Sequence, residues 1–153
     1  MFETINKDEW SFVTKMMQWI APGEQKKLGA FTPENMPGIR EKMNKMYDGD
    51  TDFKKWEDQC EFKEINIEGG AGQLMRVIIT KAKKNIGKKD MACIVNCHGG
   101  GAVALKPEHL NGKMARLCLA LDIVAFNIDY RLAPEAKTPE GFKDCVAAIK
   151  YFN

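Results

Sequence analysis

The amino-acid sequence predicts an α/β fold with a mostly parallel sheet, flanking helices and a helical N-terminal segment. A continuous apolar run at residues 91–97 and a second, largely apolar segment at residues 123–130 are typical of buried strands in a parallel sheet. An amphipathic helical pattern follows each run, and this alternation favours strands joined by right-handed crossovers. Before residue 60 the patterns are helical only. We therefore divide the chain into an N-terminal helical segment, residues 1–59, and a core, residues 60–153.

Two helices are predicted in the N-terminal segment. The first has one apolar face at helical spacing, made by Phe12, Met16, Trp19 and Ile20. The second begins at Thr32-Pro33, a capping residue followed by a proline in the first turn. Its apolar face comprises Ile39, Met43, Met46 and Tyr47. Methionines at this spacing favour a packing role, because the flexible thioether side chain fills irregular gaps.

The core begins with two predicted strands. Residues 61–68 alternate polar and apolar side chains, as a half-exposed strand does, and residues 74–80 are rich in valine and isoleucine. The glycine-rich residues 69–72 predict a turn between the strands. Residues 81–90 contain five lysines, which favour a solvated loop over a patch that binds anions.

Two amphipathic helices follow the buried strands. The helix over residues 106–121 has an apolar face made by Leu110, Met114, Leu117, Cys118 and Leu121. The helix that begins at Thr138-Pro139 carries another set on one face, namely Phe142, Cys145, Val146 and Ile149.

Composition and charge exclude several classes of function. With 23 Lys and Arg against 21 Asp and Glu, the net charge is only +2, which gives no basis for a nucleic-acid partner. No apolar run approaches the roughly 18 residues of a membrane span, and residues 1–8 do not resemble a signal peptide. Five cysteines without regular spacing favour reduced thiols and the cytoplasm. No phosphate-loop, dinucleotide or zinc-binding pattern occurs, so we expect no cofactor and no metal.

The clearest chemical signal is a run of one histidine and three glycines, His98-Gly99-Gly100-Gly101, directly after a predicted buried strand. Glycine is entropically costly, so three in succession need a physical reason. Without Cβ atoms, the backbone can turn sharply and expose N–H groups, which can stabilise a developing oxyanion. A plain glycine turn is the alternative interpretation.

A second motif about 30 residues later favours the oxyanion-binding interpretation over a plain glycine turn. Residues 129–135 read DYRLAPE and follow the next buried strand. In this order, the two motifs resemble those of the hormone-sensitive-lipase-like family of α/β-hydrolases, in which HGGG is the oxyanion loop. Lesser agreements with the family occur at Arg76, His109 and Asp144-Cys145. The resemblance covers residues 60–153 well, and residues 1–59 correspond loosely to the helices of the family's cap.

The resemblance implies roles for a few residues. The backbone N–H groups of Gly99, Gly100 and Gly101 would form part of the oxyanion hole, and His98 would support the loop by hydrogen bonding. His109 would be a structural residue at a helix start. Charged and phenolic side chains after the second buried strand would form a structural network, namely Asp129, Tyr130, Arg131 and Glu135.

The sequence also departs from the family pattern. A hydrolase of this fold needs a serine in G-x-S-x-G, then an acid, then a histidine. This chain has a single serine, Ser11, before the glycines, no G-x-S-x-G, and no histidine after His109. We therefore expect an incomplete α/β-hydrolase fold, the N-terminal half of a carboxylic-ester hydrolase that is inactive alone.

Two consequences and two alternatives follow. The strand ending at Cys97 would lie at an open sheet edge, so the chain alone would be poorly soluble, partly unfolded or in need of a complementing C-terminal half. The complete protein would act on a small-molecule ester. Alternatively, the fold binds a small molecule without hydrolysing it, or serves as an interaction module.

Overall fold

The computed structural model describes residue 32, residues 34–47 and residues 55–153 of the 153-residue chain. The predicted helix around Phe12 to Ile20, and Ser11 with it, lies outside the described residues. The described elements are, in chain order, helix α1 (Met36–Tyr47), strands β1 (Cys60–Glu68), β2 (Leu74–Ala82) and β3 (Cys93–Cys97), helix α2 (Asn111–Leu121), strand β4 (Val124–Ile128) and helix α3 (Thr138–Phe152). Short 3-10 turns lie at Lys83–Asn85 and Pro107–Leu110.

The four described strands form one sheet in the order β1-β2-β4-β3. The prediction of a mostly parallel sheet is wrong for these strands, since only β3 and β4 pair in parallel. A tight turn joins β1 to β2, closed by a 2.7 Å hydrogen bond from the Gly69 N–H to the Gln73 carbonyl, and so short a connection makes the pair antiparallel. The parallel pair is the one that a helix, α2, connects.

The apolar core lies along the two central strands. Val77 of β2 and Ile128 of β4 pair in register, and neither is exposed. On the opposite face, Met114 and Cys118 of α2 pack against Ala125 of β4. The predicted helix over residues 106–121 is confirmed, with a 3-10 turn as its first part. The pattern placed Leu121 on the apolar face of this helix. Leu121 is 61% exposed because it is the last residue of the helix.

Strand β3 forms an edge of the described sheet, as the sequence led us to expect. The expectation that this strand is fully buried is wrong, since each of its five residues is exposed or half-buried. The reason is its position: β4 lies on one side, and no described strand lies on the other. An apolar sequence therefore occupies an exposed edge.

Helix α3 is confirmed, but most of its predicted apolar face is not buried. Phe142, Val146 and Ile149 are exposed, whereas Cys145 packs against the core. The buried side of α3 instead presents Asp144 and Ala148, neither of which is exposed. No helix among the described residues is long and apolar enough to cross a membrane.

Candidate active-site loop

Residues 98–105, the glycine loop, connect the end of β3 to the 3-10 turn before α2. Gly100 has a φ of 108° and Gly101 a φ of 63°, values in the region that favours glycine. A Cβ at Gly100 would overlap with the backbone carbonyl of Ala104. By contrast, a Cβ at Gly99 would meet no atom within 4 Å. The conformation of the loop therefore requires glycine at position 100 but not at position 99.

The N–H groups of the three glycines, Gly99, Gly100 and Gly101, have no hydrogen-bond acceptor in the part of the chain that the structure describes. The Gly100 carbonyl, by contrast, accepts hydrogen bonds from the N–H groups of Val103 and Ala104, at 3.2 and 3.1 Å. The loop thus closes on itself through its carbonyl groups and leaves donors uncommitted, as an anion-binding loop requires.

His98 is the first residue of the loop, and it is only 3% exposed. Its ring Nδ1 donates a hydrogen bond of 2.8 Å to the Gly99 carbonyl, which fixes the proton on Nδ1. The ring stacks on that of Tyr130, with centroids 4.4 Å apart, and the Tyr130 hydroxyl donates to the His98 carbonyl at 2.7 Å. Burial lowers the pKa of His98, so the ring is neutral at physiological pH.

Helix α1 holds the other side of the loop, a feature that sequence reasoning missed. Met36 and Ile39 pack against Val103 and Ala104 in one buried cluster. Ile39 was predicted to belong to an apolar face, and Met43 packs on the same cluster, whereas Met46 and Tyr47 are exposed.

Two polar side chains of α1 complete this contact. The Arg40 guanidinium donates to the Val103 carbonyl at 2.7 Å, to the Ala133 carbonyl at 2.5 Å and to both carboxylate oxygens of Glu135. The Asn44 side-chain oxygen accepts a hydrogen bond from the Leu105 N–H at 2.9 Å. These contacts join residues 61 to 95 positions apart, so no local signal in the sequence could have identified them.

An ionic cluster around Arg76 includes Asp129, the residue that directly follows β4. Arg76 of β2 contacts Asp129, Glu108 and Glu64 at 2.8, 2.5 and 3.2 Å. The hydrogen bond that Arg76 donates to the Glu108 carboxylate raises the pKa of Arg76, and the hydrogen bond to Asp129 raises it further. His109, which is 7% exposed, accepts the Lys106 N–H through Nδ1 at 3.2 Å. This contact lies at the start of the 3-10 turn, where the sequence predicted a structural role for His109.

A second ionic site ties α3 to the core. Asp144 is fully buried and accepts hydrogen bonds from the Arg131 guanidinium at 2.8 and 3.0 Å, from Gln73 and from the Gly70 N–H at 2.8 Å. Burial alone would raise the pKa of Asp144, but the hydrogen bonds from Arg131 and Gln73 outweigh it and lower that pKa. The four residues of the predicted network thus have separate partners: Asp129 pairs with Arg76, Tyr130 with His98, Arg131 with Asp144 and Glu135 with Arg40.

No group of three or more His, Cys, Asp or Glu side chains among the described residues is arranged to bind a metal ion. The candidate site is therefore a set of backbone donors, held by His98 and Tyr130 on one side and by α1 on the other.

Comparisons with known proteins identify the fold. A family model described as alpha/beta hydrolase fold matches residues 94–153, which include the glycine loop. No curated protein matches the chain. A solved structure of a bacterial heroin esterase is 21% identical, with a TM-score of 0.68, over 99% of this chain and 43% of its own.

Two further solved structures have a higher percentage identity over a smaller part of this chain. A hyperthermophilic esterase from the archaeon Pyrobaculum calidifontis is 26% identical, with a TM-score of 0.64, over 76% of this chain and 36% of its own. The thermostable carboxylesterase EstE1, from a metagenomic library, is 25% identical, with a TM-score of 0.63, over 76% of this chain and 38% of its own. This chain spans less than half the length of each of these proteins. Over the portion that the comparisons cover, the chain carries the α/β-hydrolase fold.

Proposed function

We propose that this chain supplies the oxyanion-hole loop of a serine carboxylic-ester hydrolase. The observation that carries the proposal is the glycine loop itself, in which three N–H groups without partners among the described residues follow a strand end. In ester hydrolysis, a serine attacks the carbonyl carbon, and the carbonyl oxygen becomes a tetrahedral oxyanion. The N–H groups of Gly99, Gly100 and Gly101 would donate hydrogen bonds to that oxygen.

The energetic value of such a loop depends on its rigidity. Each oxyanion donor is worth about 2.7–4 kcal/mol of transition-state stabilisation when it is oriented before the reaction. The stacked rings of His98 and Tyr130 and the clamp from Arg40 supply this orientation. Because His98 is neutral and buried, its role in the proposal is to support the loop and not to transfer protons.

The rest of the catalytic machinery would come from outside this sequence. The chain contains no G-x-S-x-G and no histidine after His109, so we expect no turnover from it alone. The open edge of β3 and the exposed apolar residues of α3 support a complementing C-terminal half that extends the sheet and covers this helix. The N-terminal segment, residues 1–59, would serve as a cap over an apolar acyl pocket, and we place the protein in the cytoplasm.

The test begins with the native protein from its source. We expect a mass well above 17.3 kDa, or a partner chain, and hydrolysis of p-nitrophenyl esters of short acids. In that protein, Gly100→Ala should lower kcat about 10²-fold or more, since a distorted loop loses an oxyanion donor. Gly38→Ala adds the same methyl group on α1, outside the glycine loop, and that group meets no atom within 4 Å, so it is the matched control and should retain activity.

The alternative function is a module that binds a small molecule without hydrolysis. Labelling of the native protein with a fluorophosphonate separates the two. Covalent labelling together with ester turnover supports the hydrolase. Saturable binding of an ester analogue, with no label and no turnover, would favour the binding module instead.

A further inference from the structure

A groove outside the glycine loop lies between helix α3 and the turn that joins β1 to β2. Its volume is about 440 Å³, within the range of roughly 300–1,000 Å³ that is usual for small-molecule sites. Gly69 and Gly70 line it on the side of the turn. On the side of the helix it is lined by three apolar residues, Phe142, Val146 and Ala147. The groove therefore offers apolar surface to a ligand of moderate size.

Contacts within the chain fix the turn and the helix relative to each other. The Gly70 N–H donates a hydrogen bond of 2.8 Å to the carboxylate of Asp144, a fully buried residue of α3. A Cβ at Gly70 would overlap with the backbone of Lys143, so the turn contacts the helix directly. The Gly69 N–H is used to close the turn. The groove is thus formed before a ligand arrives, which reduces the entropic cost of binding.

Two lysines give the groove a positive charge. Lys143 and Lys150 both line it, and they are seven residues apart, so their backbones are separated by about 10 Å along the helix axis. Among the described residues, no carboxylate forms an ion pair with either lysine. Asp144, which follows Lys143 in the sequence, is bound by Arg131. Apolar surface beside uncompensated positive charge complements an anion with an apolar body.

The groove is also distant in the topology from the edge where the sheet would be extended. β1 and β3 are the two edges of the described sheet, and the turn that lines the groove begins at the end of β1. The complementing half of the proposed function would add its strand at β3. Ile149, an exposed apolar residue of α3, does not line the groove. The groove is therefore a site of its own, and its occupation can be tested without esterase activity.

We propose that this groove binds a free medium-chain carboxylate, of which decanoate is the probe. The alkyl chain lies against Phe142, Val146 and Ala147, and its removal from water drives binding. The carboxylate accepts a charge-assisted hydrogen bond from the ammonium group of Lys143 or Lys150. The charge selects an acid over an alcohol of the same length. The concave form of the groove favours one separate molecule over a flat lipid surface.

The experiment titrates the full 153-residue chain with decanoate below its micelle concentration, followed by isothermal titration calorimetry. We expect saturable binding at one site, weakened by added salt. Replacing both lysines, as Lys143→Gln with Lys150→Gln, should weaken binding about fivefold or more. Phe142→Ser should weaken it about fivefold through lost apolar contact. Lys113→Gln is the matched control, since it removes an exposed lysine of α2, and it should bind as wild type.

A second set of measurements keeps the proposal falsifiable. The substituted side chains are exposed, so circular dichroism should show that each variant keeps the fold. Decanol bound as tightly as decanoate, or an unchanged affinity in the double lysine variant, would overturn the proposal. So would the absence of saturable binding. Association of the chain with phosphatidylglycerol vesicles, without binding of free decanoate, would indicate a lipid surface instead and would overturn it as well.

Discussion

The glycine loop follows the end of β3, and it is more completely covered than the surface formed by β3 and the outer side of α3. The loop is held by stacked rings, by an arginine from α1 and by a buried apolar cluster. On the other surface, Phe142, Val146 and Ile149 are exposed, and β3 has an unpaired edge among the described residues. The conformation of the loop is therefore fixed by contacts within this chain. The apolar side chains on the outer side of α3 are exposed, so they can make further contacts.

The largest expected effect concerns Asp144, which ties α3 to the side of the core where the loop lies. Asp144→Asn should lower the free energy of unfolding by about 3 kcal/mol at pH 7. The reason is that the Arg131 guanidinium and the Gly70 N–H lose a charged acceptor in a buried position. The value lies at the low end for buried pairs, since Arg131 remains 29% exposed. Urea unfolding followed by circular dichroism measures this change.

The pH dependence of this difference is a further check. The pKa of Asp144 is lowered in the folded state, so its contribution is fully present above the unfolded pKa of about 4. It is lost as the pH falls below that value and through the folded pKa. The stability of wild type should therefore converge on that of Asp144→Asn in acid. Glu140→Gln removes the more exposed partner of Arg131 and should cost less than about 1 kcal/mol.

Much of the fold could be predicted because its signals are local. The alternation in residues 61–68 and the apolar run before His98 each describe one strand, and both strands exist. Whether neighbouring strands pair in parallel or antiparallel could not be predicted from such local signals. Apolar runs indicate burial on both faces, which is typical of parallel sheets, yet β3 is exposed because it has only one described neighbour. Burial of a strand depends on its neighbours, which its own sequence does not contain.

The candidate site shows the same limit. The three glycines were identifiable because a run of glycines after a strand has few physical explanations. Arg40 and Asn44 could not be identified from the sequence. They are polar residues of α1, and the hydrophobic pattern of that helix indicates only which residues form its apolar face. Their role depends on contacts with residues more than 60 positions away. The resemblance to a family supplied the link between HGGG and DYRLAPE that spacing alone could not.

The next effect in size compares two neighbouring glycines. Gly100→Ala should cost about 1–3 kcal/mol, since alanine must adopt a φ of 108° and overlaps with the Ala104 carbonyl. Gly99→Ala should change stability by less than about 0.5 kcal/mol, because its methyl group meets no other atom within 4 Å. Hydrogen exchange at the N–H groups of Val103 and Ala104, which bond to Gly100, gives the readout. Equal exchange rates in the two variants would contradict the requirement for glycine at position 100.

Arg40→Ala should have a smaller effect that is confined to the loop. The carbonyl groups of Val103 and Ala133 lose a charged donor, which is worth about 1.5 kcal/mol. The ion pair with Glu135 adds little, because that carboxylate is 58% exposed. In a hydrogen-exchange measurement, exchange should accelerate at the backbone N–H groups of Leu105 and Ala133 and stay unchanged in β2. Lys42→Ala, an exposed change on the same helix, should accelerate neither.

The smallest expected effect lies on the outer surface of α3. Phe142→Ser should change the free energy of unfolding of this chain by less than about 0.5 kcal/mol, although removing a buried phenylalanine costs about 3–5 kcal/mol. Phe142 is 66% exposed, so it loses little packing, and serine and phenylalanine have similar helix propensities. Ala148→Val, on the opposite side of the helix, should cost about 1–3 kcal/mol by overpacking. If Phe142→Ser were as costly as Ala148→Val, the outer surface of α3 would be part of the core of this chain, and its apolar residues would no longer support a complementing half.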